Sequence, residues 1–118
     1  MGDQVSWLLQ VAVKPGQLAE FKAVLAEMIE STGAESGALT YEWSISDDGG
    51  TAHANERYAD SAAVLTHLAT FGEKFAQRLL GAADPTQFVV YGSPSDEARE
   101  ALSAFGPTYM APLGGFAR

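Results

Sequence analysis

His53-Ala54-Asn55-Glu56-Arg57-Tyr58-Ala59-Asp60-Ser61-Ala62-Ala63-Val64-Leu65-Thr66-His67-Leu68 reads as a β-strand that runs directly into a helix. Ala54, Glu56 and Tyr58 share one face, as residues two apart do in a strand. Asp60 or Ser61 supplies the side-chain oxygen that caps a helix start. Val64, Leu65, Leu68, Phe71, Phe75 and Leu79 then recur at helical spacing, with Gly72 expected to bend or break the helix. His67 lies on the shoulder of that apolar stripe, which aims an imidazole at the protein's own sheet.

Upstream, Asp47-Asp48-Gly49-Gly50 is a hairpin turn, because Asp and Gly supply the positive-φ positions such turns need. Residues 38–46 therefore pair with residues 51–58 and place Leu39, Tyr41, Trp43 and Ile45 on one face. Residues 4–13 form a first strand with Val5, Trp7, Leu9, Val11 and Val13 on one side. After Lys14-Pro15-Gly16, the positions Leu18, Phe21, Val24, Leu25, Met28 and Ile29 mark an amphipathic helix that ends at Gly33 or at Ser36-Gly37. Downstream, residues 81–85 read as a loop and residues 86–91 as a fourth strand.

The order strand–helix–strand–strand–helix–strand is an α+β, ferredoxin-like βαββαβ pattern. It predicts a four-stranded antiparallel sheet over residues 1–92 with two helices on one face. Both faces of the first, second and fourth strands carry large apolar side chains. The face without helices is expected to meet a second copy of the chain, making a homodimer. Residues 93–118 form a second segment. Ser93 is expected to cap a short helix with Pro94 in its first turn, running to about Phe105. A Gly/Pro-rich stretch bearing Tyr109, Met110, Leu113 and Phe116 is expected to dock on its own subunit or on the partner.

The chain has 118 residues, 47% hydrophobic and 19% charged, enough for one domain with its own core. It has no cysteine, which excludes disulfides and thiolate chemistry. The net charge of −8 disfavours nucleic acid and anionic membranes as partners. No signal-like segment opens the chain and no apolar run approaches membrane-spanning length, so a cytoplasmic protein is expected.

The residues that carry this architecture also carry a resemblance. Lys14-Pro15-Gly16 before a helix, Leu39-Thr40-Tyr41-Glu42 on the second strand, and Asn55-Glu56-Arg57-Tyr58-Ala59-Asp60 followed by Ala63 and His67-Leu68 resemble the antibiotic biosynthesis monooxygenase family of dimeric α/β barrels. The resemblance covers residues 4–92. It implies pairing as a dimeric α/β barrel and oxidation of a small phenolic or quinol-like compound by O₂, with no flavin, metal or other cofactor. Substrate would lie between sheet and helices. The alternative is a non-catalytic dimer of the same fold that binds a small ligand or acts as a stress-associated module.

His67 is the candidate catalytic base or hydrogen-bond donor, since imidazole titrates near neutral pH. The plainer reading is a histidine satisfied by a backbone carbonyl, Glu42 or Glu56. Glu56 and Tyr58 are candidate substrate contacts, although a buried carboxylate ordinarily belongs to a charge pair. Tyr41 and Trp43 can wall an aromatic pocket or serve simply as core. Asn55, with Trp43 and Arg57, supplies the residue types of an Asn–Trp–Arg set used by some family members. Two histidines without cysteine leave little for a metal site, and His53 and Glu56 point to opposite faces of a strand. The haem-degrading branch expects an Asn on the first strand, which is missing, and a Trp where His67 stands.

Overall fold

The computed structural model describes residues 2–118; Met1, the start of the expected 1–92 unit, lies outside them. Strand β1 (Val5–Val13) leads to helix α1 (Leu18–Gly33), and strands β2 (Ala38–Ile45) and β3 (Thr51–Tyr58) follow as a hairpin. Gly49, with φ +73°, supplies the left-handed residue of its turn. Helices α2 (Ser61–Lys74) and α3 (Ala76–Ala82) lead into β4 (Ala83–Gly92), then α4 (Asp96–Leu102), a 3₁₀ turn at Ser103–Phe105, and a short strand β5 (Thr108–Met110).

The sheet order is β2-β3-β1-β4-β5. The first four strands are antiparallel neighbours, as the βαββαβ reading requires. The expected four-stranded antiparallel sheet with two covering helices is corrected in one respect: β5 adds parallel to β4, giving a five-stranded mixed sheet and four helices among the described residues. The parallel addition follows from α4, which carries the chain back so that it runs beside β4 in the same direction.

Three local expectations are also revised. The helical break falls at Phe75 (φ −127°), not at Gly72, which remains inside α2. There the chain re-aims so that Leu79 is buried. The strand expected at residues 86–91 begins at Ala83, because Ala83 and Asp84 pair with Val13 and Ala12. Pro85 is accommodated where the register shifts between Gln10 and Val11, since proline cannot donate to a regular ladder. The last helix is capped by Ser95, whose Oγ accepts from the Ala98 amide, with Ser93 and Pro94 before it.

Two buried clusters share the helix-covered side of the sheet. One contains Val5, Trp7, Tyr58, Val64, Phe88 and Val90, closed by Ala98 and Leu102 of α4. The other contains Val11, Phe21, Val24, Met28, Leu79 and Ala82. Leu9 packs against both and marks the seam between them. The C-terminal segment is thus divided. Ala98 and Leu102 are fully buried and Tyr109 packs on the first cluster, whereas Leu113 and Phe116 are 103% and 80% exposed.

Candidate active site

Strand register assembles the site. Tyr41 of β2 lies opposite Glu56 of β3, Glu56 opposite Trp7 of β1, and Trp7 opposite Val90 of β4. One row across the sheet therefore reads Tyr41–Glu56–Trp7–Val90. The next inner row is Trp43–Ala54–Leu9–Phe88. Asp60 fixes where α2 starts, its Oδ1 accepting from the Ala63 amide at 2.8 Å. Two turns further on, His67 is buried over the first row.

Its ring lies 4.9 Å from the Tyr58 ring, 5.6 Å from Tyr41 and 6.3 Å from Trp7, centroid to centroid. Both ring nitrogens face carboxylates. Nδ1 is 3.1 Å from Glu35 Oε1 and 3.3 Å from Oε2. Nε2 is 3.4 Å from Glu56 Oε1. That same oxygen accepts the Tyr58 hydroxyl at 2.6 Å, a short charge-assisted bond. Both contacts of Glu56 thus fall on Oε1, which leaves Oε2 for another partner.

Burial, the largest single influence on His67, pulls its pKa down. The polar contact and charge of Glu56, joined by those of Glu35, together outweigh it, so the imidazole titrates above its ordinary 6.5. Burial raises the phenols of Tyr41 and Tyr58, and the Glu56 charge raises them further. Both tyrosines therefore act as hydrogen-bond donors.

A cavity of about 40 Å³ opens at the seam between the two core clusters. Glu56, His67, Tyr41 and Trp43 line it, with an apolar wall that includes Trp7, Phe88 and Phe105. It is well below the roughly 300–1,000 Å³ of a typical small-molecule site, so an aromatic ligand must displace part of the wall. Phe105, from the 3₁₀ turn after α4, is half-buried and belongs to that wall. The indole Nε1 of Trp43 is buried without a hydrogen-bond partner, an unspent donor beside the cavity.

Of the residues singled out by sequence, His67, Glu56, Tyr41 and Trp43 meet at this cavity, and Tyr58 stands behind it through its bond to Glu56. Asn55 lies on the opposite face of β3 and is exposed, as is Arg57, so neither converges with Trp43. His53, on that outer face, has Nε2 at 2.9 Å from Gln10 Oε1. Glu42, one partner considered for His67, is opposite Asn55 on the same outer face. The partner that the sequence reading missed is Glu35, in the link between α1 and β2. Among the described residues, no group of three or more His, Asp or Glu is arranged to hold a metal ion, and no helix is long and apolar enough to cross a membrane.

Comparison with known structures gives the same fold. MupZ from Pseudomonas fluorescens superposes with a TM-score of 0.86 at 26% identity, covering 98% of this chain and 95% of that one. Coverage of 98% of 118 residues includes most of the C-terminal extension. SnoaB from Streptomyces nogalater, a cofactor-independent oxygenase, has a TM-score of 0.67 at 19% identity, covering 79% of this chain and 95% of its own. A putative antibiotic biosynthesis monooxygenase from Bacteriodes thetaiotaomicron gives 0.65 at 25% identity, covering 80% and 90%. No curated protein matches the chain. The sequence profile described as antibiotic biosynthesis monooxygenase matches residues 5–78, more than half of the sequence, and the chain belongs to that family.

Proposed function

We propose that this protein binds a small phenolic or quinol-type compound beside His67 and oxidises it with O₂ without a cofactor. The observation that carries the reading is the cavity lining. In a wall that is otherwise almost wholly apolar, Glu56 is the group placed to take a proton, with His67 held against it. A phenol seated against Trp7 and Phe88 brings its hydroxyl to Glu56 Oε2, with the Trp43 N–H available to its oxygen.

Loss of that proton makes an electron-rich phenolate, which passes an electron to O₂ directly. When a ring methylene of the keto tautomer becomes a carbonyl, the substrate gives up four electrons and O₂ accepts four. One oxygen atom enters the product and the other leaves as water. The protein's part is to take the proton, orient the ring and exclude solvent.

The reading includes a homodimer formed through the face of the sheet without helices. Leu8 and Val89 are paired neighbours there, and the partly exposed Tyr91 and Met110 extend the apolar surface.

Oxygen uptake by metal-free protein with a reduced naphthoquinol tests the activity. Uptake is expected, and Glu56→Gln should lower it about 100-fold, the lower end of what a positioned acid or base contributes. A quinol-induced rise in melting temperature with no oxygen uptake would favour the non-catalytic ligand-binding reading.

A further inference from the structure

We propose that Glu35 is the outer terminal of a proton relay, Glu35–His67–Glu56, that links the cavity to the solvent-facing groove between α1 and α2. The proposal deepens the acid–base reading above and rests on it. Its basis is the position of His67 as a partition. On one side, Glu56 and His67 line the cavity, and Glu35 does not. On the other, Glu35 lines an open surface groove with Ser31, Thr70 and Lys74, and its side chain is 12% exposed. A second void of about 10 Å³ behind the ring touches Glu35, Ser31 and His67 together.

Nδ1 faces both Glu35 oxygens and Nε2 faces Glu56. Imidazole is the side chain that can hold a proton on each of two opposed nitrogens, which is what a shuttle requires. The titratable neighbours are few. Tyr41 from β2 and Tyr58 and Glu56 from β3 face the ring, while β1 offers only Trp7. Around Glu35 the groove adds Glu27, Glu30 and Lys74.

The transfer is charge-coupled. Acidic side chains facing opposite ring nitrogens favour the doubly protonated ring, and the relay starts from that form. When Glu56 Oε2 takes the substrate's hydroxyl proton, the substrate O–H bond breaks and a Glu56 O–H bond forms. His67 then loses one of the two negative charges that held its proton. The Nδ1–H bond breaks, Glu35 receives that proton and passes it to water in the groove. One proton enters the site and a different one leaves on the opposite side of the ring.

The relay is tested without any ligand, by the exchange of the His67 ring N–H with water in ¹⁵N-histidine-labelled protein. The chain has only two histidines, so a His53→Gln control assigns the signals. Removing the outer terminal by Glu35→Gln should slow Nδ1–H exchange about tenfold or more, whereas Glu35→Asp, which keeps a carboxylate, should restore much of the rate. Ser31→Leu keeps Glu35 and fills the groove beside it, so it should slow exchange as well even if Glu35→Gln folds poorly. Unchanged or faster exchange in a folded Glu35→Gln protein would overturn the relay, as would unchanged exchange in Ser31→Leu. Because no quinol or O₂ is present, these outcomes are separate from success or failure of the oxygen-uptake assay.

Discussion

Tyr58→Phe removes a single oxygen atom from the most deeply buried polar contact of the site. Tyr58 is fully buried and donates at 2.6 Å to Glu56, itself 5% exposed. A buried hydrogen bond to a charged group contributes about 1.5–3 kcal/mol, and its loss leaves Glu56 Oε1 with only the 3.4 Å contact to His67. For 118 residues the unfolding entropy is about 0.25 kcal/mol/K, so the melting temperature should fall by about 6–12 °C. In a Glu56→Gln background the acceptor is neutral, and the same Tyr58→Phe change should cost only about 0.5–1.5 kcal/mol. Urea denaturation of the four proteins at pH 7 and matched concentration closes the double-mutant cycle. A coupling of about 1 kcal/mol is expected. Equal costs in the two backgrounds, within about 0.3 kcal/mol, would show that the carboxylate does not strengthen this bond and would refute the electrostatic account of the site.

Four further outcomes rest on other features. His67 has a folded pKa above its unfolded value, so its stabilisation is complete below about pH 6.5 and is lost as the pH rises through the folded value. The wild-type melting temperature should therefore decline above that pH relative to a His67→Gln protein, and parallel pH profiles would contradict the raised pKa. A methyl group at Gly37 would lie 2.5 Å from the Ala63 Cβ, forcing the start of α2 away from the α1–β2 link. Gly37→Ala should cost about 1–3 kcal/mol by denaturant titration, and a neutral result would mean that this crossing is not tight. Deleting residues 111–118 should change monomer stability by no more than about 0.5 kcal/mol, since Leu113 and Phe116 are exposed. Deleting residues 106–118 also removes Tyr109 from the core and from its stacking on Arg99, and should cost at least about 1 kcal/mol.

The parts of the site that sequence makes legible are those governed by a period. Alternation along two strands puts Tyr41 and Trp43 on the same face as Glu56, and helical spacing with a capped start aims His67 at them. Glu35 belongs to neither pattern. It follows the end of α1 in a non-repetitive link, and its contact to His67 spans 32 residues of sequence. The only local hint is an acidic residue directly before Ser36-Gly37, which many surface turns share. Gly72 shows a different limit. No neighbouring atom lies within contact of an added methyl there and the residue is exposed, so the helix tolerates it, while the break is set by where Leu79 must be buried. Strand β5 is too short for periodicity to reveal, being three residues positioned by α4 and by Tyr109.

The two rims of the sheet have a consequence for how this molecule behaves when crowded. On one rim β5 shields only Val89–Tyr91, and the remainder of that strand contains Pro85, which offers no amide hydrogen. On the other, β2 begins with a register shift between Ala38 and Thr40 that interrupts the regular ladder. The β4–β5 rim therefore offers an incoming chain no long template for strand addition, and on the β2 rim the regular stretch is limited to Thr40–Ile45. At high concentration, strand addition to this sheet is therefore confined to the short regular stretch of β2, which limits open-ended fibrillar growth.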